Sequence, residues 1–168
     1  MVGGLKIDEK LLECVVRGTK EGLSMTQLDP DAVGASRFNA WSGDLSVIVG
    51  LHGAKESGNM TINLSERTGL FLASRLMGEE LKEFNEDGVD ALCEIGNMVA
   101  GRLKELLNGT EYAFHAISLP ALIFGANYSL YHVKNINALA VTFELAEIPV
   151  FQIRDKFFTT SVALLRQI

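Results

Sequence analysis

Residues 86–107 read EDGVDALCEIGNMVAGRLKELL. At about 100° per residue, Leu92, Ile95, Val99, Leu103 and Leu106 share one side of a helix, a stripe suited to a core. Asp90, Glu94, Asn97 and Gly101 fall close together on the other side. Glu94 and Asn97 are at i and i+3, where helical side chains are neighbours. An acid precedes them by one turn and a glycine follows by one turn. Exposed carboxylates and amides on helices are usually just solvated. Two choices make this strip a candidate site. Asn is a mediocre helix former, because its amide competes for backbone partners. Gly costs about 1 kcal/mol relative to Ala inside a helix. Neither serves an ordinary surface. Both make sense where another protein's backbone must approach closely and meet an amide.

Working outward, Asp8 is placed to cap a first helix over Ile7–Met25, with Leu11, Leu12, Val15 and Val16 as its apolar stripe. Gly18 and Gly22 weaken its second half. Asp29-Pro30-Asp31 marks a turn within Leu28–Ala32. Strands are expected over Val33–Trp41, over Asp44–His52, where Leu45, Val47 and Val49 alternate, and over Asn59–Leu64, with residues 54–58 connecting the last two. Ser65 caps a second helix that Gly78 ends, and an acidic linker over Glu79–Glu86 leads into the long helix, which stops at Asn108-Gly109. Beyond it, Tyr112–Leu119, Ile136–Ala146, Pro149–Ile153 and Phe157–Leu165 read as strands, broken by Pro120, Gly125 and Asn127, with a turn at Arg154-Asp155-Lys156. The order helix, strands, two helices, strands indicates an α+β fold: long helices packed on a mainly antiparallel sheet.

The 168 residues, 48% hydrophobic and 21% charged, suit a single domain spanning residues 1–168 with a sizeable core. A net charge of −6 without a basic cluster disfavours nucleic acid and anionic membranes. No apolar run approaches the roughly 20 residues of a membrane span, and the N-terminus shows no secretory pattern, so the cytoplasm is the expected compartment. Cys14 and Cys93 read as reduced, partly buried thiols. His52, His115 and His132 stand apart, without metal-ligand spacing. Phosphate-binding glycine loops and the G-x-S-x-G elbow are absent, so no metal, nucleotide or nucleophile chemistry of this chain's own is expected.

Asp90-Ala-Leu-Cys-Glu94-Ile-Gly-Asn97 resembles the signature D/S-x3-E-x2-N of the CheC/CheX/FliY phosphatases of bacterial chemotaxis. Glu94–Gly101, EIGNMVAG, is similar to the family helix, and Ser118-Leu-Pro120 with Gly125 resembles its S-x-P…G segment. The element order and chain length are also similar to CheX. CheC-type members carry two E-x2-N helices. Here the first helix offers Glu13-Cys-Val-Val16, with valine in the amide's place, so one site remains and CheX is favoured over CheC.

The resemblance implies an α+β homodimer that removes the phosphoryl group from a phosphorylated CheY-like response regulator. Asn97 would orient the attacking water, and Glu94 would pair with the lysine beside the regulator's phosphorylation site. Asp90 and Gly101 would support partner contact. No cofactor is expected on this chain, and Mg²⁺ is expected on the regulator. The alternative of a different class is a CheC-like scaffold domain that grips a regulator or signalling complex without turnover.

Overall fold

The computed structural model describes residues 7–37, 43–125 and 136–166. Helix α1 (Glu9–Gly22) begins where expected, the Asp8 carboxylate accepting from the Leu11 N–H at 2.8 Å. It ends earlier than the apolar pattern suggests, and the chain continues as a 3₁₀ turn at Ser24–Thr26. Strand β1 (Asp31–Ser36) starts inside the segment expected to be a turn, and the rest of the expected strand, from residue 38, lies outside the described residues. Strands β2 (Leu45–His52) and β3 (Glu56–Leu64) form a hairpin tighter than expected, with His52 opposite Ser57. Helix α2 (Glu66–Met77) is capped by the Ser65 hydroxyl and closed by Gly78 at φ 75°, a left-handed conformation that suits glycine. Helix α3 (Glu86–Leu107) spans the residues the sequence marked for it.

Strands β4 (Ala116–Ile117), β5 (Ala121–Phe124), β6 (Ile136–Glu144) and β7 (Phe157–Arg166) complete one sheet of order β1-β6-β7-β3-β2-β4, with β5 also on β2. Every pairing described is antiparallel. The expected strand over Tyr112–Leu119 shrinks to β4, because Tyr112 and Phe114 are drawn into the core. The helix-facing side of the sheet is apolar. Val49, Met60, Val162 and Leu139 are successive partners across four strands, each buried.

One expected strand is not a strand. Pro149–Ile153 forms a 3₁₀ turn at Val150–Gln152 followed by a short helix α4 (Ile153–Lys156). Its β-branched and aromatic residues suggested β-structure, but tertiary anchors override that propensity. The buried Lys156 ammonium donates to the carbonyls of Leu145 (3.0 Å) and Ile148 (2.8 Å), folding the excursion back between β6 and β7. Ser65 donates to Asp155 at 2.6 Å and Thr68 to the Asp155 carbonyl at 2.6 Å, tying α4 to the start of α2.

The helices approach each other and the sheet through glycines. A Cβ on Gly22 would lie 2.6 Å from the Val99 Cα, and one on Gly96 would lie 2.5 Å from a Val47 methyl. Gly22 therefore seats α1 directly on the backbone of α3, and Gly96 seats α3 on β2. Leu92, Ile95, Val99 and Leu103 of α3 are buried as their spacing predicted, with Leu106 packed at the margin.

Candidate active site

The strip on α3 sits on a helix packed against α1, α2 and β2. The Asn85 side chain caps α3, accepting from the Gly88 N–H at 2.8 Å. Glu86 and Asp87 follow in the first turn and Lys104 is in the last, matching the helix dipole at both ends. With one face clamped by α1, α2 and β2, the opposite face is fixed in position.

On that face Glu94 is exposed and Asn97 half-buried, and the structure brings them together. An Asn97 Nδ2–H donates to Glu94 Oε2 at 3.3 Å. This bond engages one amide hydrogen. An amide has another N–H and an acceptor oxygen, enough to hold a water by donation and acceptance at once. Asp90 is exposed one turn earlier. Its negative charge adds to burial in pushing the neighbouring Cys93 thiol above its ordinary range, so Cys93 stays protonated and is a poor nucleophile. At Gly101 an added Cβ would meet nothing within 4 Å, unlike Gly22 and Gly96. The space beside the amide's C-terminal side is open.

The S-x-P…G segment runs through β4 and β5, which contact α3. The Ser118 hydroxyl accepts from the Gly50 N–H at 2.7 Å and donates to the Leu119 carbonyl at 2.8 Å. Gly125 adopts φ 149°, which side chains rarely allow, and its N–H donates to the Asp44 carbonyl at 2.9 Å. Both residues fasten β4 and β5 to β2, and both strands pack against α3. Sequence reasoning found the segment only through resemblance. Its work is a side chain-to-backbone bond across strands, which has no periodicity to detect. In α1, Glu13 pairs with Lys10 (3.1 Å) and Arg17 (3.7 Å), and Val16 packs on the core, so no second carboxylate–amide strip forms there.

Among the described residues, no group of three or more His, Cys, Asp or Glu side chains is placed to hold a metal ion, and no helix is long and apolar enough to cross a membrane.

The model of the chemotaxis phosphatase CheX family matches residues 45–144, more than half of the chain and all of α3. The chain belongs to the CheX family. It is thus a phosphatase domain of the chemotaxis class. Solved relatives share the fold along nearly the whole chain. A CheC-like superfamily protein from Shewanella sp. PV-4 superposes with a TM-score of 0.78 at 19% identity, covering 95% of this chain and 99% of its own. The chemotaxis protein CheX from Vibrio vulnificus gives 0.73 at 21% identity, covering 94% and 97%. CheX from Borrelia burgdorferi, solved in a CheX–CheY–BeF3–Mg²⁺ complex, gives 0.73 at 27% identity, covering 95% and 99%. Among curated proteins, no sequence matches the chain significantly. The helix-on-antiparallel-sheet arrangement common to these CheX and CheC-like structures is the α+β class read from the sequence.

Proposed function

We propose that this CheX-family domain hydrolyses the aspartyl phosphate of a CheY-like response regulator, using Asn97 and Glu94. The observation that supports it best is the hydrogen-bonded pair of exposed Glu94 and half-buried Asn97 at the centre of α3. The Borrelia relative, crystallised with CheY and a beryllofluoride, supports the choice of partner.

An aspartyl phosphate is a mixed anhydride. Water attacks phosphorus in line, the bond from phosphorus to the aspartyl oxygen breaks, and inorganic phosphate leaves a free carboxylate. The transition state is loose, so catalysis is mostly positioning and electrostatics. A neutral amide holds the water without repelling the phosphoryl dianion, as a carboxylate at position 97 would. Glu94 serves better at the rim, pairing with the lysine beside the regulator's phosphorylated aspartate. When Glu94 turns to that lysine, it releases the Asn97 N–H it accepts from in the free protein. Asp90 contributes to the contact, and the open space at Gly101 admits the partner's loops. Mg²⁺ belongs to the regulator and neutralises phosphoryl charge there. We further propose that residues 1–168 act as one domain, as a homodimer, in the cytoplasm.

The test compares phosphate release with binding to a beryllofluoride-loaded regulator. Asn97→Ala should lower turnover by about 10²-fold or more while leaving binding nearly intact. Glu94→Ala should weaken binding and turnover together, because it leaves the partner's lysine desolvated and unpaired. Small and equal effects would leave both as solvated surface residues. Tight binding with no phosphate release by the wild type would favour the scaffold alternative.

A further inference from the structure

Beside the strip, on its α1 side, runs a groove walled by Gly22, Ser24 and Met25 on one bank and by Met98, Gly101 and Arg102 on the other. Met25 is 69% exposed. Its turn is nevertheless held tightly. Leu23 and Thr26 on either side are each 1% exposed. The Thr26 hydroxyl donates to the Leu23 carbonyl at 2.6 Å, Arg75 of α2 donates to the Thr26 carbonyl at 3.1 Å, and Gln27 closes the turn with its N–H on the Ser24 carbonyl at 3.0 Å. A fraying end would not be pinned from three directions. The fold holds a flexible, polarizable thioether in water next to the catalytic candidate, the kind of side chain that adapts to a partner's surface.

The charges around this groove are already paired. Arg102 is 2.6 Å from Glu105, and Arg17 is 3.2 Å from Glu21. Apart from the Ser24 hydroxyl, what remains is apolar or has no side chain: Met25, Met98, Gly22 and Gly101. The four residues of the strip cannot hold a partner alone, since a stable interface covers about 800 Å² per protein. A protein that brings a phosphoryl group to Asn97 must also cover the flanks, and the groove begins one turn away at Gly101. A second copy of the chain seated there would block the approach to Asn97.

We propose that this groove receives an apolar side chain from the face of the response regulator that surrounds its phosphorylated aspartate, with Met25 as the adaptable wall. The proposal rests on reading the α3 strip as the dephosphorylation site. The groove sets which regulator docks, and the strip performs the chemistry.

The test uses the full chain, wild type and as Met25→Glu and Met25→Leu, against the host's CheY-like regulators loaded with beryllofluoride and Mg²⁺. Met25 is exposed, so both variants should fold, which circular dichroism checks. Met25→Glu should weaken binding by about tenfold or more, as for loss of an apolar anchor, and Met25→Leu should retain it. At saturating regulator, the single-turnover rate of Met25→Glu should stay near wild type. Unchanged affinity in Met25→Glu overturns the proposal, as does failure of the wild type to bind any regulator. A change in the mass of the free protein on Met25→Glu also overturns it, assigning the groove to self-association. Asn97→Ala, measured in parallel, separates the two ideas. Lost turnover there with unchanged Met25→Glu binding removes the groove alone. Wild-type turnover there with weakened Met25→Glu binding keeps the docking face and removes the strip's chemistry.

Discussion

Lys156 shows how one side chain can reshape a segment whose composition favours a strand. The residue is 6% exposed, and its ammonium donates to two carbonyls, with Glu144 at 3.2 Å. Lys156→Met would take that donor from the Ile148 carbonyl, at about 1–3 kcal/mol for an unsatisfied group, and would leave the Leu145 carbonyl with the Ile148 N–H at 3.2 Å. Urea unfolding should show a loss of about 2–4 kcal/mol, while the folded fraction keeps its activity, since α3 is untouched. Tyr112 gives a pH signature. Burial, with the nearby Asp8 carboxylate, pushes its hydroxyl from an ordinary 10 up to about 12. The folded state thus prefers the neutral phenol. Its contribution is fully present below pH 10 and is lost as pH rises through about 12, because the unfolded chain releases the proton first. Tyr112→Phe should flatten stability over that window relative to wild type. Identical alkaline unfolding curves for the two proteins would show that Tyr112 is not the group responsible.

At the scale of elements, glycines in or against one helix have different meanings, and two substitutions expose the contrast. Gly22→Ala forces a methyl to within 2.6 Å of the α3 backbone, which cannot yield as a side-chain tip can. It should cost about 1–3 kcal/mol, the range for overpacking. Gly101→Ala meets nothing within 4 Å and should raise thermal stability by up to about 1 kcal/mol from helix propensity. Comparing their melting temperatures checks both signs. The same contrast marks what was legible in the sequence. The span of α3, its buried stripe and the Glu94–Asn97 adjacency follow from helical periodicity, which is local. That Gly18 and Gly22 are contact points on α3 follows only from the packing of distant segments, and locally they read as weaknesses. The segment after Pro149 departs from its strand-like composition for a related reason: those residues are exposed on a turn held by Lys156 bonds to Leu145 and Ile148 and by long-range bonds from Ser65 and Thr68 to Asp155. The role of Ser118 depends on Gly50, far away along the chain.

At the scale of the whole molecule, the sheet among the described residues ends in an outer strand, β1, every residue of which is exposed there, including Val33. An open edge is a ready pairing surface. The proposed homodimer should appear in light scattering at micromolar concentration as twice the chain mass of 18.3 kDa. If β1 forms the contact, Val33→Lys should shift the protein toward monomer. A monomeric wild type would remove the dimer. The charge distribution leads to a sharper expectation about substrate. The molecule carries −6 overall, and the exposed acids Glu86, Asp87, Asp90 and Glu94 cluster along the first half of α3. A bare phosphoryl dianion brought to Asn97 would be repelled by its surroundings. Hydrolysis there requires a phosphoryl group whose charge is already offset by cations that arrive with it, which a regulator's bound Mg²⁺ and lysine supply and a free acyl phosphate does not. The protein should therefore leave acetyl phosphate essentially untouched while dephosphorylating a phosphorylated regulator. Stripping Mg²⁺ with a chelator should abolish the accelerated release, with a Mg²⁺ dependence that tracks the regulator's own affinity for the ion. Asp90→Asn, which removes one of the repelling charges and keeps the side chain's size, should not create activity on acetyl phosphate, because the neutralising cations are still missing. Rapid hydrolysis of acetyl phosphate by the wild type would show that this chain supplies the positive charge itself, and would displace the α3 strip as the reaction site.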